Sequence, residues 1–280
     1  MSQTVFLNGQ FQDAETASVS IFDRGFLFGD GVYEVIPVYD SSPFYLAAHL
    51  KRLNASLAAI NLENPLDELV WVKTISEIIS RNGGGDLSLY IQVSRGVAKP
   101  RDHAFPKQVM PTVLITATPL KPISKAVQEH GVSAVLLEDF RWHRCDIKST
   151  ALLGNVLLRQ QAVDAGAYEA ILQRDGYVTE GAASNLFVVQ SGEVLTPPTS
   201  EWILAGVTRR VILKLLADNN IPLRQTAIST DLLKRADEIW LTSSTKGALP
   251  VTILDDKPVG SGGPGKFWKQ IFDLYQTAIS

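Results

Sequence analysis

Cysteine is nearly missing from this chain. A single one, Cys145, occurs in 280 residues, so no disulfide can close within the chain, and a reducing setting suits it. There is no basic block: 26 Lys+Arg stand against 29 Asp+Glu, a net charge of −3 with the signs mixed throughout. That speaks against nucleic acid or anionic lipid as a partner. No run approaches the roughly 20 apolar residues of a membrane span. The opening MSQTVFLNGQ lacks the charged leader and apolar stretch of a secretory signal, so a cytoplasmic protein is expected. Several catalytic signatures are also absent. His49, His103, His130 and His143 have no metal-ligand spacing, and no metal is expected. No Gly-x-Ser-x-Gly elbow appears, and no Gly-x-Gly-x-x-Gly follows a strand to open a helix.

What is present is an ordinary globular balance, 45% apolar and 20% charged, in a chain long enough for one large or two medium domains. Asn8-Gly9 between VFL and FQ predicts a tight hairpin. Strands are expected at 31–39 (GVYEVIPVY), 87–93 (LSLYIQV) and 112–118 (TVLITAT). In the second, Leu87, Leu89, Ile91 and Val93 share one face and Ser88, Tyr90, Gln92 and Ser94 the other. That other face is polar but uncharged, as suits a wall lining a cavity. Helical spacing places Leu50, Leu53, Leu57 and Ile60 on one stripe, and Leu69, Val72, Ile75 and Ile79 on a second that stops at Gly83-Gly84-Gly85. The segment PLKPIS at 119–124 has two prolines and no periodicity and reads as a linker. Domains of 1–120 and 121–280 follow. The second half runs through strand VSAVLLEDF, helix ALLGNVLLRQQAVDAG, strands YEAILQRD and SNLFVVQ, helices at 207–219 and 229–236, strand EIWLTSS and a closing amphipathic helix. Strands adjoin strands more often than they alternate with helices, so α+β is expected over a doubly wound parallel sheet.

Six segments could carry chemistry. In RWHRCDIKST, Lys148 lies between two apolar runs. A lysine held among apolar neighbours has a lowered pKa, and its neutral amine can condense with a carbonyl; alone, such a lysine is more often a surface residue. In TEGAASNLFVV, Glu180 stands at a Gly-flanked bend, either as a solvated turn residue or as the acidic partner of a cationic ring nitrogen. In WILAGVT, glycine precedes a helix whose free N–H groups and Thr208 hydroxyl suit a phosphate; the plain alternative is that Thr208 is an N-cap. LTSSTK offers four successive hydroxyls. Among the aromatics and three glycines of FDRGFLFGDGVYE a tightly shaped bend is expected, and Arg52 on the following helix could grip a phosphate or simply face solvent. Finally, Arg101 and His103 sit on a proline-containing loop after the Tyr90 strand, as an exposed basic loop or as a carboxylate clamp. Together these supply an amine, an acid, a phosphate cradle and a carboxylate clamp.

The segments FDRGFLFGDGVYEV, HLKRL, YIQVSRG, RWHRCDIKS, YEAIL, TEGAASN, LAGVTR and LTSST, in this order from about residue 5 to the C-terminus, resemble the fold-type IV aminotransferases that use pyridoxal 5′-phosphate (PLP). The resemblance implies two α/β domains with the cofactor between them, the lysine in the larger C-terminal one, and a homodimer whose partner subunit completes each site. It implies that Lys148 forms the Schiff base and shuttles the Cα proton, and that Glu180 pairs with the pyridine nitrogen. Arg52, Val207, Thr208 and Ser244 would bind the phosphate, Ser243 would contact the cofactor, and Leu204 would pack on its ring. Tyr33 and Tyr90 would lie near substrate. Within the family, Arg101 and His103 match the Arg-x-His of the enzymes that act on D-amino acids, and Glu34-Val35 stands where branched-chain enzymes more often have Glu-Gly. The expected substrates are a D-amino acid such as D-alanine and a 2-oxo acid such as 2-oxoglutarate. Aminodeoxychorismate lyase and branched-chain or (R)-amine transaminase are the alternatives on the same scaffold. A non-catalytic binding module predicts loss of the lysine or the acid, and both are present. Two departures stand out: the loop GVAKPRDH is one residue longer than in some D-enzymes, and Ala182 and Ala183 replace serines found in some relatives.

Overall fold

A computed structural model describes residues 3–279. The chain divides into two compact units. The first holds the residues up to Lys121 plus Ile147–Leu152; the second holds Pro122–Asp146 and Leu153 onward.

The first unit contains β1 (Thr4–Leu7), β2 (Gln10–Asp13), α1 (Arg24–Phe28), β3 (Gly31–Tyr39), β4 (Ser42–Pro43), α2 (Leu46–Ala59), α3 (Glu68–Arg81), β5 (Leu87–Ser94) and β6 (Thr112–Pro119). Among the described residues its strands form one sheet in the order β2-β1-β6-β5-β3-β4, antiparallel at every step. The β1–β2 turn has φ of 49° at Asn8 and 90° at Gly9, the double positive φ that the Asn-Gly pair tolerates. β3 and β5 pair along their length, from Gly31 opposite Ser94 to Val38 opposite Leu87. Leu87, Leu89, Ile91 and Val93 are all buried, on the face covered by Leu50, Leu53 and Leu57 of α2 and Trp71, Ile75, Ile78 and Ile79 of α3. The second helical stripe is rotated from its expected position. Leu69 is 72% exposed and Val72 37%. The bulk of Trp71, whose indole N–H donates to Asn64 Oδ1 at 3.0 Å, sets which face turns inward.

The second unit contains α4 (Lys125–His130), β7 (Val132–Glu138), α5 (Leu153–Asp164), β8 (Glu169–Arg174), β9 (Tyr177–Gly181), β10 (Asn185–Gln190), β11 (Glu193–Thr196), α6 (Val207–Asp218), β12 (Leu223–Gln225), α7 (Thr230–Leu233), β13 (Glu238–Ser243), β14 (Gly247–Leu254), β15 (Lys257–Pro258) and α8 (Lys266–Ile279). The described strands build a mixed sheet, β12-β11-β10-β13-β14-β7-β8-β9, with β15 on β14. Pairing is parallel at β11–β12, β14–β7 and β7–β8 and antiparallel elsewhere. The architecture is α+β in two units. No helix among the described residues is long and apolar enough to cross a membrane.

The observed boundary at Lys121/Pro122 falls in the proline segment read as a linker. The lysine segment does not lie where it was expected, in the C-terminal domain. Ile147–Leu152 belongs with the first unit. The Tyr33 N–H donates to Lys148 C=O at 2.9 Å and the Thr150 N–H to Gly31 C=O at 2.9 Å. The Lys148 N–H donates to Ser56 Oγ at 3.2 Å, and Ile147 joins the first unit's core. A short strip flanked on both sides by one unit is thus held by the other, which no local pattern announces.

Candidate active site

In the first unit the alternation of β3 separates two jobs. Tyr33 lies on one face, with its ring 5.7 Å from that of Tyr90 on β5. The Lys148 Nζ sits 4.2 Å from the centre of the Tyr33 ring, and Lys148 is half-buried. The Tyr90 hydroxyl donates to Gln92 Oε1 at 2.7 Å. Burial, with the nearby Tyr33, pushes the Tyr90 phenol up to about 12, so it stays protonated. The uncharged polar face seen in the sequence therefore lies beside the lysine.

Glu34 points the other way and is fully buried. His49 and Arg52 lie three residues apart on α2, hence on one helix face. His49 Nδ1 is 2.8 Å from Glu34 Oε2, and the Arg52 Nε and Nη2 donate to the two Glu34 oxygens at 2.7 and 2.8 Å. Arg52 does not face solvent; its side chain is 11% exposed. Burial alone would raise the Glu34 pKa, but the Arg52 charge and hydrogen bonds, with His49, bring it down to about 2. Burial lowers the His49 pKa in spite of Glu34. The sequence reading does not contain this pairing, although a signal for it exists: Val32, Glu34, Ile36 and Val38 share the core face of β3, and a charge there requires a partner.

A depressed carboxylate pKa gives stability that is fully present above the unfolded value of 4.5 and lost as pH falls toward about 2. Glu34→Gln is expected to cost about 3 kcal/mol at pH 7. It should also flatten the acid side of the stability curve between those two values. Urea titrations of both proteins from pH 2 to 7 check this; parallel curves would mean that Glu34 carries no such share.

Arg101 and His103 both reach Phe28, the last residue of α1. The Arg101 guanidinium carbon is 4.4 Å from the ring centre, and the His103 ring lies 5.2 Å away. The two side chains are exposed and share one aromatic shelf.

In the second unit Glu180 lies near the end of β9 and is 5% exposed. Its Oε1 accepts from Arg141 Nη1 at 2.8 Å, and its Oε2 accepts from Asn185 Nδ2 and the Leu204 N–H, each at 2.9 Å. It is no solvated turn residue. Burial raises its pKa to about 7, against the pull of Arg141. Glu34 has Arg52 on both oxygens, whereas Arg141 gives its Nε and Nη2 to Asp139, each at 2.9 Å. One bond to a shared cation does not offset full burial. Arg141, Asp139 and Asn185 have no assigned role in the sequence reading.

Asn185 also donates to Leu204 C=O at 2.8 Å, which fixes the bend that leads into α6. The cap of α6 is Gly206, and no side chain accepts from the first turn. Val207 and Thr208 are the first two helical residues and both are buried, so Thr208 is not the N-cap. The adjacent Arg209 is buried too, and its Nη2 donates to Pro197 C=O at 2.8 Å and Gln225 Oε1 at 2.9 Å. Uncapped N–H groups beside a buried cation make a setting for an anion. In β13, Thr242 pairs with Asn185, and its buried hydroxyl has no hydrogen-bond partner among the described residues. Ser243 ends that strand and Ser244 opens the turn after it. Ala182 is buried, and its carbonyl accepts from Asn155.

This fold, with a half-buried amine and a buried acid, defines a PLP-dependent enzyme of the aminotransferase type. The family model for amino-transferase class IV matches residues 31–254, and the chain belongs to that family. It is similar to a D-alanine aminotransferase of Bacillus licheniformis, 40% identical over 98% of this chain and 96% of that one. It is equally similar to one of Staphylococcus haemolyticus, 40% identical over 98% and 97%. Among solved structures, a branched-chain aminotransferase from the archaeon Thermoproteus uzoniensis with norvaline superposes with a TM-score of 0.90 at 27% identity, covering 100% of this chain and 95% of that one. A bacterial-type branched-chain amino acid aminotransferase with pyridoxamine 5′-phosphate, from T.th., superposes with a TM-score of 0.93 at 25% identity, covering 100% and 94%. The cofactor is pyridoxal 5′-phosphate, and the substrates are an amino acid and a 2-oxo acid. The donor set here fits that group, with an amine for its aldehyde, a buried acid for its ring nitrogen and an uncapped helix start for its phosphate.

Proposed function

We propose that this protein moves the amino group of a D-amino acid, D-alanine foremost, to a 2-oxo acid such as 2-oxoglutarate. The observation that carries the stereochemical reading is the Arg101–His103 pair held on Phe28, two donors aimed from one loop as an α-carboxylate requires. Near-full-length identity of 40% to D-alanine aminotransferases supports it, against 27% to the archaeal branched-chain enzyme.

Bound PLP supplies an aldehyde that condenses with amines and a ring that withdraws charge from the reacting carbon. Lys148 is the amine that holds it, and once displaced it takes the proton from the donor's Cα; in the second half-reaction it returns one to the acceptor. Glu180, fixed by Arg141, Asn185 and the Leu204 N–H, stands as counter-charge to the ring nitrogen. The N–H groups of Val207 and Thr208, with Ser243 and Ser244, hold the phosphate. Arg52 acts beside them with its Glu34 partner in place. Leu204 packs on the ring, and Tyr33 and Tyr90 border the substrate. A homodimer in the cytoplasm, with the partner's clamp loop completing each site, is part of the same reading.

The test is a donor panel on purified enzyme: D-alanine, L-leucine or (R)-1-phenylethylamine, each with 2-oxoglutarate, plus aminodeoxychorismate alone. D-alanine is expected to react at least about 100-fold faster than L-leucine in kcat/KM, about 3 kcal/mol of discrimination. Reaction of L-leucine without D-alanine would sink the D-specific reading, and pyruvate release from aminodeoxychorismate would point to the lyase.

A further inference from the structure

The clamp residues Arg101 and His103 belong to a stretch, 101–105, that is exposed throughout and forms no regular element. A clamp needs a fixed aim, because binding geometry off by about 1 Å costs orders of magnitude in rate. Something must hold this loop, and the structure supplies a specific device.

Arg24 opens α1 and is 4% exposed. Its guanidinium grips the backbone of the loop: Nη1 donates to the carbonyls of Asp102 at 2.6 Å and Ala104 at 3.3 Å, and Nη2 donates to that of His103 at 3.1 Å. Three consecutive carbonyls on one cation leave the loop little freedom to slide. The remaining Nε donates to Asp30 Oδ2 at 2.8 Å. The same oxygen accepts from Arg95 Nε, also at 2.8 Å. Arg95 in turn lies 3.7 Å over the ring of Phe105, at the loop's far end, and its other donors go to the carbonyls of Ile60 and Asn61. Arg95 and Phe105 therefore anchor the end of the loop, Arg24 anchors its middle, and one carboxylate ties both cations together. Phe28, one helical turn from Arg24, is the shelf on which the two clamp side chains rest. Its ring is also 4.8 Å from the Arg24 guanidinium carbon.

We infer that Arg24 is a positioning residue for substrate recognition: by holding the backbone of residues 102–104 it sets the aim of Arg101 and His103, and with it the enzyme's demand for a donor that bears an α-carboxylate. The inference rests on the clamp reading given above. Neither lysine nor glutamine reproduces the grip, since only the planar fork of arginine reaches three carbonyls while pairing with Asp30.

The experiment uses the holoenzyme, with D-alanine and 2-oxoglutarate as substrates and propanoate, which has the carboxylate but no amine, as inhibitor. In R24K the KM for D-alanine and the Ki of propanoate are each expected to rise about tenfold or more, while kcat stays within about twofold. Hydrogen exchange across 101–105 is expected to speed up. F28L removes the shelf and leaves the grip; it is expected to shift the same two constants in the same direction, and it carries the test should R24K not fold. Because Arg24 acts through Arg101, the double variant R24K/R101A is expected to be no worse than R101A. The inference is overturned if folded R24K leaves KM and Ki unchanged. It is also overturned if kcat falls in step with binding, or if the effects of R24K and R101A multiply. The clamp reading has its own arm: R101A with unchanged KM and Ki removes it, and the exchange data then still report whether Arg24 holds the loop.

Discussion

Lys148→Ala is expected to lower the rate of transamination by about 10³-fold or more, with D-alanine KM little changed and the folded state retained. Two losses combine. The amine that would hold the cofactor is gone, and so is the group that takes the Cα proton, each of which contributes on the order of 10²–10⁴-fold in enzymes generally. The fold survives because the segment is held by its backbone: the Lys148 carbonyl accepts from Tyr33 N–H and its own N–H donates to Ser56, and neither needs the side chain. The measurement pairs stopped-flow rates with borohydride reduction and peptide mapping. In the wild type the reduced label is expected on Lys148 and in the variant on no peptide. A label elsewhere in the wild type would remove the basis for every role proposed here. Added methylamine is expected to restore part of the variant's rate, since it replaces the missing base but not its placement.

The second large effect is at Glu180. Glu180→Gln is expected to reduce kcat by about 10²-fold, the usual order for deleting one preorganised electrostatic partner. Its neighbours supply the reason. Arg141, Asn185 and the Leu204 N–H all donate to this side chain, an arrangement built for an anion. Burial opposes that anion and sets its pKa at about 7, so a nearby positive ring nitrogen is what would tip it to the charged form. In protein stripped of cofactor, the raised pKa means that stability falls as pH climbs from 4.5 toward about 7. Glutamine, with no proton to lose, is expected to abolish that slope. Chemical denaturation of both apoproteins between pH 4 and 8 gives the comparison. Equal slopes would place the titration elsewhere, and an unchanged kcat in the variant would dismiss Glu180 as the counter-charge.

Much of this is legible in the sequence, and the limits have physical reasons. The β3 and β5 strands, the α2 stripe and the proline linker all follow from period and turn chemistry, which are local. The α3 stripe is rotated from its expected face because spacing alone favours Leu69 and Val72, while Trp71, the largest side chain there, decides the packing. Lys148 and Glu180 are legible as chemistry. Their surroundings are not, because the partners are distant in sequence: Arg141 precedes Glu180 by 39 positions, and Arg24 reaches carbonyls 78 to 80 positions away. Glu34 is within reach of sequence reasoning, since a lone charge on the inward face of an apolar strand asks for a cation, and the following helix offers one in Arg52.

The placement of Ile147–Leu152 bears on how the molecule is made. A chain emerging from the ribosome can finish the first sheet once β6 is out, yet that unit still lacks the strip that brings the amine beside Tyr33. The strip arrives only after β7 has been synthesised, so the N-terminal part waits, structured but chemically inert, and no contiguous piece ending at Lys121 can own the reactive nitrogen. Reactivity is thus withheld until translation is past its midpoint.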